Sequence, residues 1–354
     1  MDLDIPIFDG HNDTLLALHK PERGGPSSLF EHNDKGHLDI PRMREGGMVG
    51  GLFAIFVPSK AKPNDFTRIA DDKGHYKEPL GTPLSLEHAQ QETLAMMARL
   101  YRDVRASQGQ FGVAKSVADI ERHMAAGTIS ATLHFEGAEA IDTDLNALEV
   151  FYEAGLRSLG LVWSRANWFA TGVPLAFPGH PNVGPGLSDA GIELVKACNE
   201  LGIMIDLAHL NEAGFWDVAN HSQAPLISSH TAVHSICQHS RNLTDKQLDA
   251  IRESDGLVGI VFATGFLRPD GSWQDDTKLE VIVRHIDYLV ERLGVERVGF
   301  GSDFDGARIP KAIGSGAGLP HVLKALQKAG YNEQELRQLA LENWLRVLRL
   351  TLRE

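Results

Sequence analysis

Histidines and carboxylates recur in this chain where apolar runs end. Asp9-Gly10-His11-Asn12-Asp13 follows the first run and sets His11 and Asp13 two residues apart. Side chains two apart on an extended strand point the same way, so this pair can ligate one ion. Glu136 closes the run His134-Phe135-Glu136-Gly137, where an unpartnered buried carboxylate would be costly. His209 ends Asp206-Leu207-Ala208-His209, His230 ends Ser228-Ser229-His230, and Asp303 sits in Gly301-Ser302-Asp303-Phe304-Asp305-Gly306. Imidazole plus carboxylate suits Zn²⁺ or a similar divalent cation. Three histidines and two or three carboxylates exceed what one catalytic zinc needs. The surplus points to a two-metal site, with ions about 3.5–4 Å apart sharing a carboxylate and a hydroxide.

Each residue has an ordinary alternative. The chain holds 16 histidines, so a single one is more often surface or core than ligand. Asp13 and Asp303 could merely cap turns. Convergence decides the matter, because five separate runs end this way. His134 shares a face with Glu136 but lies a layer deeper, which suggests support or packing. Asp206 is expected to orient a neighbour or cap a strand end. His234 and His239 are expected on a helical or loop surface. No Gly-x-Ser-x-Gly elbow occurs, which removes the usual serine-hydrolase reading. Gly314–Gly318 has no following Lys-Ser or Lys-Thr, so it reads as a loop and not a phosphate cradle.

These residues meet only if the fold gathers the run ends at one place. Strands are predicted at Ile5–Phe8, Val49–Val57, Ile129–Phe135, Leu156–Trp163, Gly202–Leu207, Pro225–Ser229, Leu257–Phe262 and Arg297–Gly301. Several are nearly continuous apolar runs, as parallel strands buried on both faces require. Helical patterns lie between and after them. They span Leu86–Arg105, Asp189–Leu201 behind Ser188, a stretch from Thr244 to Glu253, another from Thr277 to Leu293, Pro320–Lys328 and Asn332–Leu350. Eight βα units predict an α/β fold, a (β/α)₈ TIM barrel forming one domain over residues 1–354. A doubly wound open sheet is the alternative, weakened by the lack of GxGxxG after the first strand. Pro58–Pro83 and Ala170–Gly186 read as loop insertions on the C-terminal face, where binding loops and lids gather.

Lys plus Arg number 34 and Asp plus Glu 47, a formal net charge of −13 with no basic run. A phosphate backbone is therefore a poor partner. Two cysteines are too few for a disulfide framework, and Cys198 reads as a small buried apolar residue. Met1-Asp2-Leu3-Asp4-Ile5-Pro6 lacks the basic and apolar regions of a signal peptide, and no apolar stretch would span a bilayer. A cytoplasmic protein without a membrane partner is the expectation.

Asp9-Gly-His-Asn-Asp13, Glu136-Gly137, Ile205-Asp-Leu-Ala-His209, Ser229-His230, Arg241-Asn242 and Gly301-Ser-Asp-Phe-Asp-Gly306 together resemble the membrane (renal) dipeptidase family of zinc metallopeptidases, a branch of the amidohydrolase-type barrels. The resemblance implies that His11 and Asp13 bind the first of two zinc ions. Glu136 would bridge both ions, and His209 and His230 would bind the second. Asp303 would shuttle the proton of the bridging hydroxide, and Arg241 would hold the terminal carboxylate of a dipeptide. It further implies a homodimer and L-Xaa-D-Xaa dipeptides among the substrates. Where relatives carry a histidine after strand four, ungapped reading puts Trp163 here. Arg165 is a candidate to act instead on the carbonyl oxygen. The alternative is a related metal-dependent amidohydrolase or lactonase acting on a non-peptide substrate.

Overall fold

The computed structural model describes residues 4–26, 28–59 and 69–353. Eight parallel strands alternate with helices: β1 (Ile7–Asn12), β2 (Met48–Ile55), β3 (Ile129–Glu136), β4 (Leu156–Gly160), β5 (Met204–Asp206), β6 (Ile227–Thr231), β7 (Leu257–Ile260) and β8 (Val298–Phe300). Each pairs with the next in sequence order, from Gly50↔Ser130 in β2–β3 to Gly259↔Gly299 in β7–β8. The cylinder closes between β8 and β1. Asp303 N–H donates to His11 O at 3.0 Å and Asp13 N–H to Phe304 O at 2.8 Å. The arrangement is the predicted TIM barrel, and each of the eight strands overlaps its predicted run. A ninth strand, Phe111–Val113, flanks the start of β3.

β1 runs past its predicted end at Phe8 through Asp9, Gly10, His11 and Asn12, all buried. A buried polar strand needs partners, and here they come from the opposite end of the chain. Asp9 Oδ1 accepts Ser302 N–H at 2.8 Å and Oδ2 accepts the Ser302 hydroxyl at 2.8 Å.

The N-terminal end of the barrel is plugged by the last helix, Asn343–Thr351. Phe8, Met204, Ile227 and Leu257, at or near the starts of their strands, cluster with Leu341, Trp344, Leu345, Val347 and Leu348. Trp344 is fully buried and donates its indole N–H to Phe300 O at 2.9 Å. A side chain at Gly10 or Gly299 would overlap its ring, so glycine there makes room for tryptophan. The predicted helix Asn332–Leu350 is interrupted by a π-helical turn, Gln338–Glu342. Just beyond it, Asn343 donates to Val295 O and Val298 O. Thr277 does not cap its helix, which starts at Leu279; its hydroxyl donates to Gln274 O instead.

The two insertions are not plain loops. Ile69–Ala70, Tyr76–Glu78 and Leu175–Phe177 form one antiparallel sheet across both of them. Residues 60–68 of the first insertion lie outside the described residues. Among the described residues, no helix is long and apolar enough to cross a membrane.

Candidate metal centre

β1, β3 and β6, with the turns after β1, β5 and β8, bring their polar residues to a single point. Glu136 Oε1 lies 3.0 Å from His209 Nε2, 3.6 Å from His230 Nε2 and 3.8 Å from His11 Nε2. His11 Nε2 is 3.5 Å from Asp13 Oδ2, and the His11 ring stacks on His230 with centroids 3.8 Å apart. One ligand atom from each of His11, Glu136 and His230 falls within 4.8 Å of the others, as it does for His11, Asp13 and Asp303. Of the six predicted residues, five are at most 6% exposed and Asp303 is 8% exposed. Among the described residues only six non-glycine residues have positive φ, and His209, Asp303 and Asp305 are three of them. Backbone held in that region costs of order 1–3 kcal/mol each, so the surrounding contacts must impose it. Gly306 must lack a side chain, since a Cβ would collide with the Asp13 and Asp303 carboxylates.

Neighbouring groups fix how the imidazoles face. Asp206 accepts Ser229 N–H at 2.7 Å and the Ser229 hydroxyl at 2.5 Å. That hydroxyl, its proton spent, can only accept from His230 Nδ1 at 2.8 Å. His230 therefore carries its proton on Nδ1 and presents a lone pair from Nε2, the form a metal requires. His209 Nδ1 meets Ser164 Oγ at 3.1 Å. His209 Nε2 and His230 Nε2 then face each other across 3.2 Å.

The electrostatics ask for positive charge. Burial, reinforced by Asp13, raises Glu136 well above the usual carboxylate range and pushes Asp303 to about 7. Burial disfavours an imidazolium at His11, but Glu136, Asp13 and Asp303 outweigh it and hold the ring near 10. Burial keeps His209 and His230 well below normal, hence neutral. Both ring nitrogens of His11 and Asp13 Oδ1 are buried without a hydrogen bond. Acids crowded around neutral imidazoles, with ligand atoms left unsatisfied, fit divalent cations.

The cluster floors a cavity of about 520 Å³. Phe56, Trp163, Leu175, Phe266 and Trp273 form its aromatic and apolar wall, and Arg23, His37 and Arg308 also line it. Arg241 is 4% exposed; one Nη donates to His230 O at 3.1 Å, and its Nε has no hydrogen bond. Its Cζ lies 5.5 Å from the Phe266 ring centre. Arg165 lies outside the cavity lining. It stacks behind Trp163 and Phe56, with Nε 3.6 Å from Glu139.

His134 is fully buried with Nδ1 2.8 Å from Ser158 Oγ, in the packing layer expected. His239 corrects its expectation: it is fully buried, and its Nδ1 accepts Arg241 N–H at 3.1 Å. Its place two residues before Arg241 was the available signal. The linking roles of Ser229 and Ser164 went unread, although Ser229 stands next to His230 in the chain.

The family model for membrane dipeptidase (peptidase family M19) matches residues 2–353. A solved metallopeptidase of that family, dipeptidase AC, is 46% identical, with a TM-score of 0.93 and 99% of each chain covered. A metallopeptidase from Rhodobacter sphaeroides, solved with a phosphinate mimic of the dipeptide L-Ala-D-Ala, is 46% identical with a TM-score of 0.92, covering 98% of this chain and 99% of that one. An uncharacterized Klebsiella pneumoniae protein in the pqqA 5' region is 45% identical over 258 residues, 73% of this chain and 94% of the relative.

Proposed function

This chain belongs to the membrane dipeptidase family and is a metallodipeptidase, and we propose that it uses two zinc ions to hydrolyse dipeptides bearing a free C-terminal carboxylate, L-Xaa-D-Xaa dipeptides included. The observation that carries this reading is Glu136 Oε1 set 3.0–3.8 Å from three imidazole nitrogens. Of the two ions, His11 and Asp13 would hold one and His209 and His230 the other, with Glu136 serving both. When bound, such a pair supplies a hydroxide nucleophile at neutral pH and a Lewis acid for the scissile carbonyl.

The chain's own groups do the rest. Asp303 takes up a proton as the nucleophile attacks and returns it to the leaving amine; its carboxylate stands among the ligand atoms and lines the cavity, where it can reach both. Arg241 offers a donor fork matched to the terminal carboxylate, with its Nε unspent. Arg165 places a second cation behind the aromatic wall, within electrostatic reach of Glu136 and His209. The mimic bound by the Rhodobacter sphaeroides relative supports an L,D-dipeptide as substrate. The assembly expected is a homodimer, which light scattering can check.

The test is a library of L,L and L,D dipeptides, free and C-terminally amidated, with metal analysis of the same sample. Chelated protein should lose activity and regain it with Zn²⁺ at two ions per chain, and amidated dipeptides should be poor substrates. Equal rates on free and amidated forms would move the function to another amide, lactone or ester.

A further inference from the structure

The cavity lining is chemically mixed, and the proposed reaction uses only part of it. Its basic lining is made by Arg23, His37 and Arg308. Among the described residues neither arginine forms an ion pair. Arg308 spends one Nη on Trp273 O at 2.7 Å and otherwise opens toward solvent. Elsewhere on this acidic chain arginines find carboxylates, as Arg268 does with Asp270 and Arg292 with Asp249.

His37 is prepared as a donor. Its Nδ1 accepts Asp305 N–H at 2.8 Å, so the proton of the neutral ring sits on Nε2. Asp305, the acid bonded to His37, is already occupied: its Oδ1 accepts His37 N–H at 2.5 Å and its Oδ2 the Thr14 hydroxyl at 2.8 Å. The wall therefore offers the Arg23 guanidinium, the remaining N–H groups of Arg308 and an imidazole N–H, while Asp305 is engaged with His37 and Thr14.

Resting on the dipeptidase reading above, we propose that this wall is a subsite for an acidic side chain on the C-terminal residue of the dipeptide. The position follows from the chemistry. Asp303 protonates the leaving amine, and that nitrogen is bonded to the α-carbon bearing the C-terminal side chain. Arg308 stands on the same turn, five residues beyond Asp303, and Gly306 between them packs against the Asp303 carboxylate. A side chain leaving that α-carbon toward the β8 turn meets the basic wall. A planar carboxylate suits guanidinium forks, whereas an amide of the same shape brings N–H groups against N–H donors.

The experiment compares kcat/KM on Ala-Asp and Ala-Asn, with L and D second residues, in the zinc-loaded full chain. Wild type should favour Asp over Asn by about tenfold at low salt, less as salt rises, because the arginines are exposed. In the double variant R23Q/R308Q that ratio should collapse toward one. The ratio is taken within each protein, so a general loss of activity cancels. Equal wild-type rates on Asp and Asn would overturn the subsite, as would a double variant that keeps the ratio. Should the variant not fold, the wild-type ratio and its salt dependence still decide. Failure of the dipeptidase reading looks different, since Ala-Ala and Ala-Asn would then not be cleaved at all.

Discussion

At the N-terminal end of the barrel, Trp344 fills the space left by Gly10 and Gly299, and its one polar atom is satisfied by Phe300 O. At the C-terminal end, His11, Asp13, Glu139, Arg165 and Arg241 all keep buried polar atoms without a hydrogen bond. One mouth is closed by shape and the other is left chemically open. A folded chain tolerates the second only because the first, with the rest of the core, carries the stability. Stability and chemistry are thus assigned to opposite ends of the same eight strands.

Substitutions at either end should separate those duties. Asp303→Asn should lower kcat by roughly 10²–10⁴-fold while zinc content and thermal midpoint stay at the wild-type level; unchanged turnover would remove Asp303 from proton transfer. Trp344→Ala should cost about 3–5 kcal/mol in denaturant unfolding, with kcat/KM per folded molecule preserved. If that variant instead lost activity at full stability, the division between the ends would fail. Zinc should raise the unfolding free energy of chelated protein, by about 2.7 kcal/mol per bound ion at free metal a hundredfold above its dissociation constant; calorimetry showing no shift would mean the open mouth needs no cation. Ser229→Ala, which cuts the Asp206–Ser229–His230 chain, should weaken zinc binding roughly 10–100-fold. Competition with a chromophoric chelator reads this directly, and unaltered affinity would leave Ser229 no orienting role.

The strands were legible because most of their residues are buried on both faces, so several read as nearly continuous apolar runs with little need of context. The convergence of His11, Asp13, Glu136, His209, His230 and Asp303 was legible for a related reason: a polar residue at the buried end of such a run is costly unless it binds or reacts. What sequence could not supply was partnership across distance. Asp9-Gly10-His11-Asn12 reads as a turn until Ser302 supplies donors to Asp9. The sheet joining Tyr76–Glu78 to Leu175–Phe177 pairs short segments of weak pattern about a hundred residues apart. His239 reads as surface because the residues flanking it are polar, yet Arg241 and Phe266 enclose it.

The seam between β8 and β1 has a consequence in time. Ser302 and Asp9 are separated by 293 positions, so a chain leaving the ribosome cannot close its cylinder until Ser302 has emerged. Of the six site residues His11 and Asp13 emerge first and Asp303 last. Hydrolytic competence therefore arrives in one late step, and a truncated product lacking the final strand carries ligands without a finished centre.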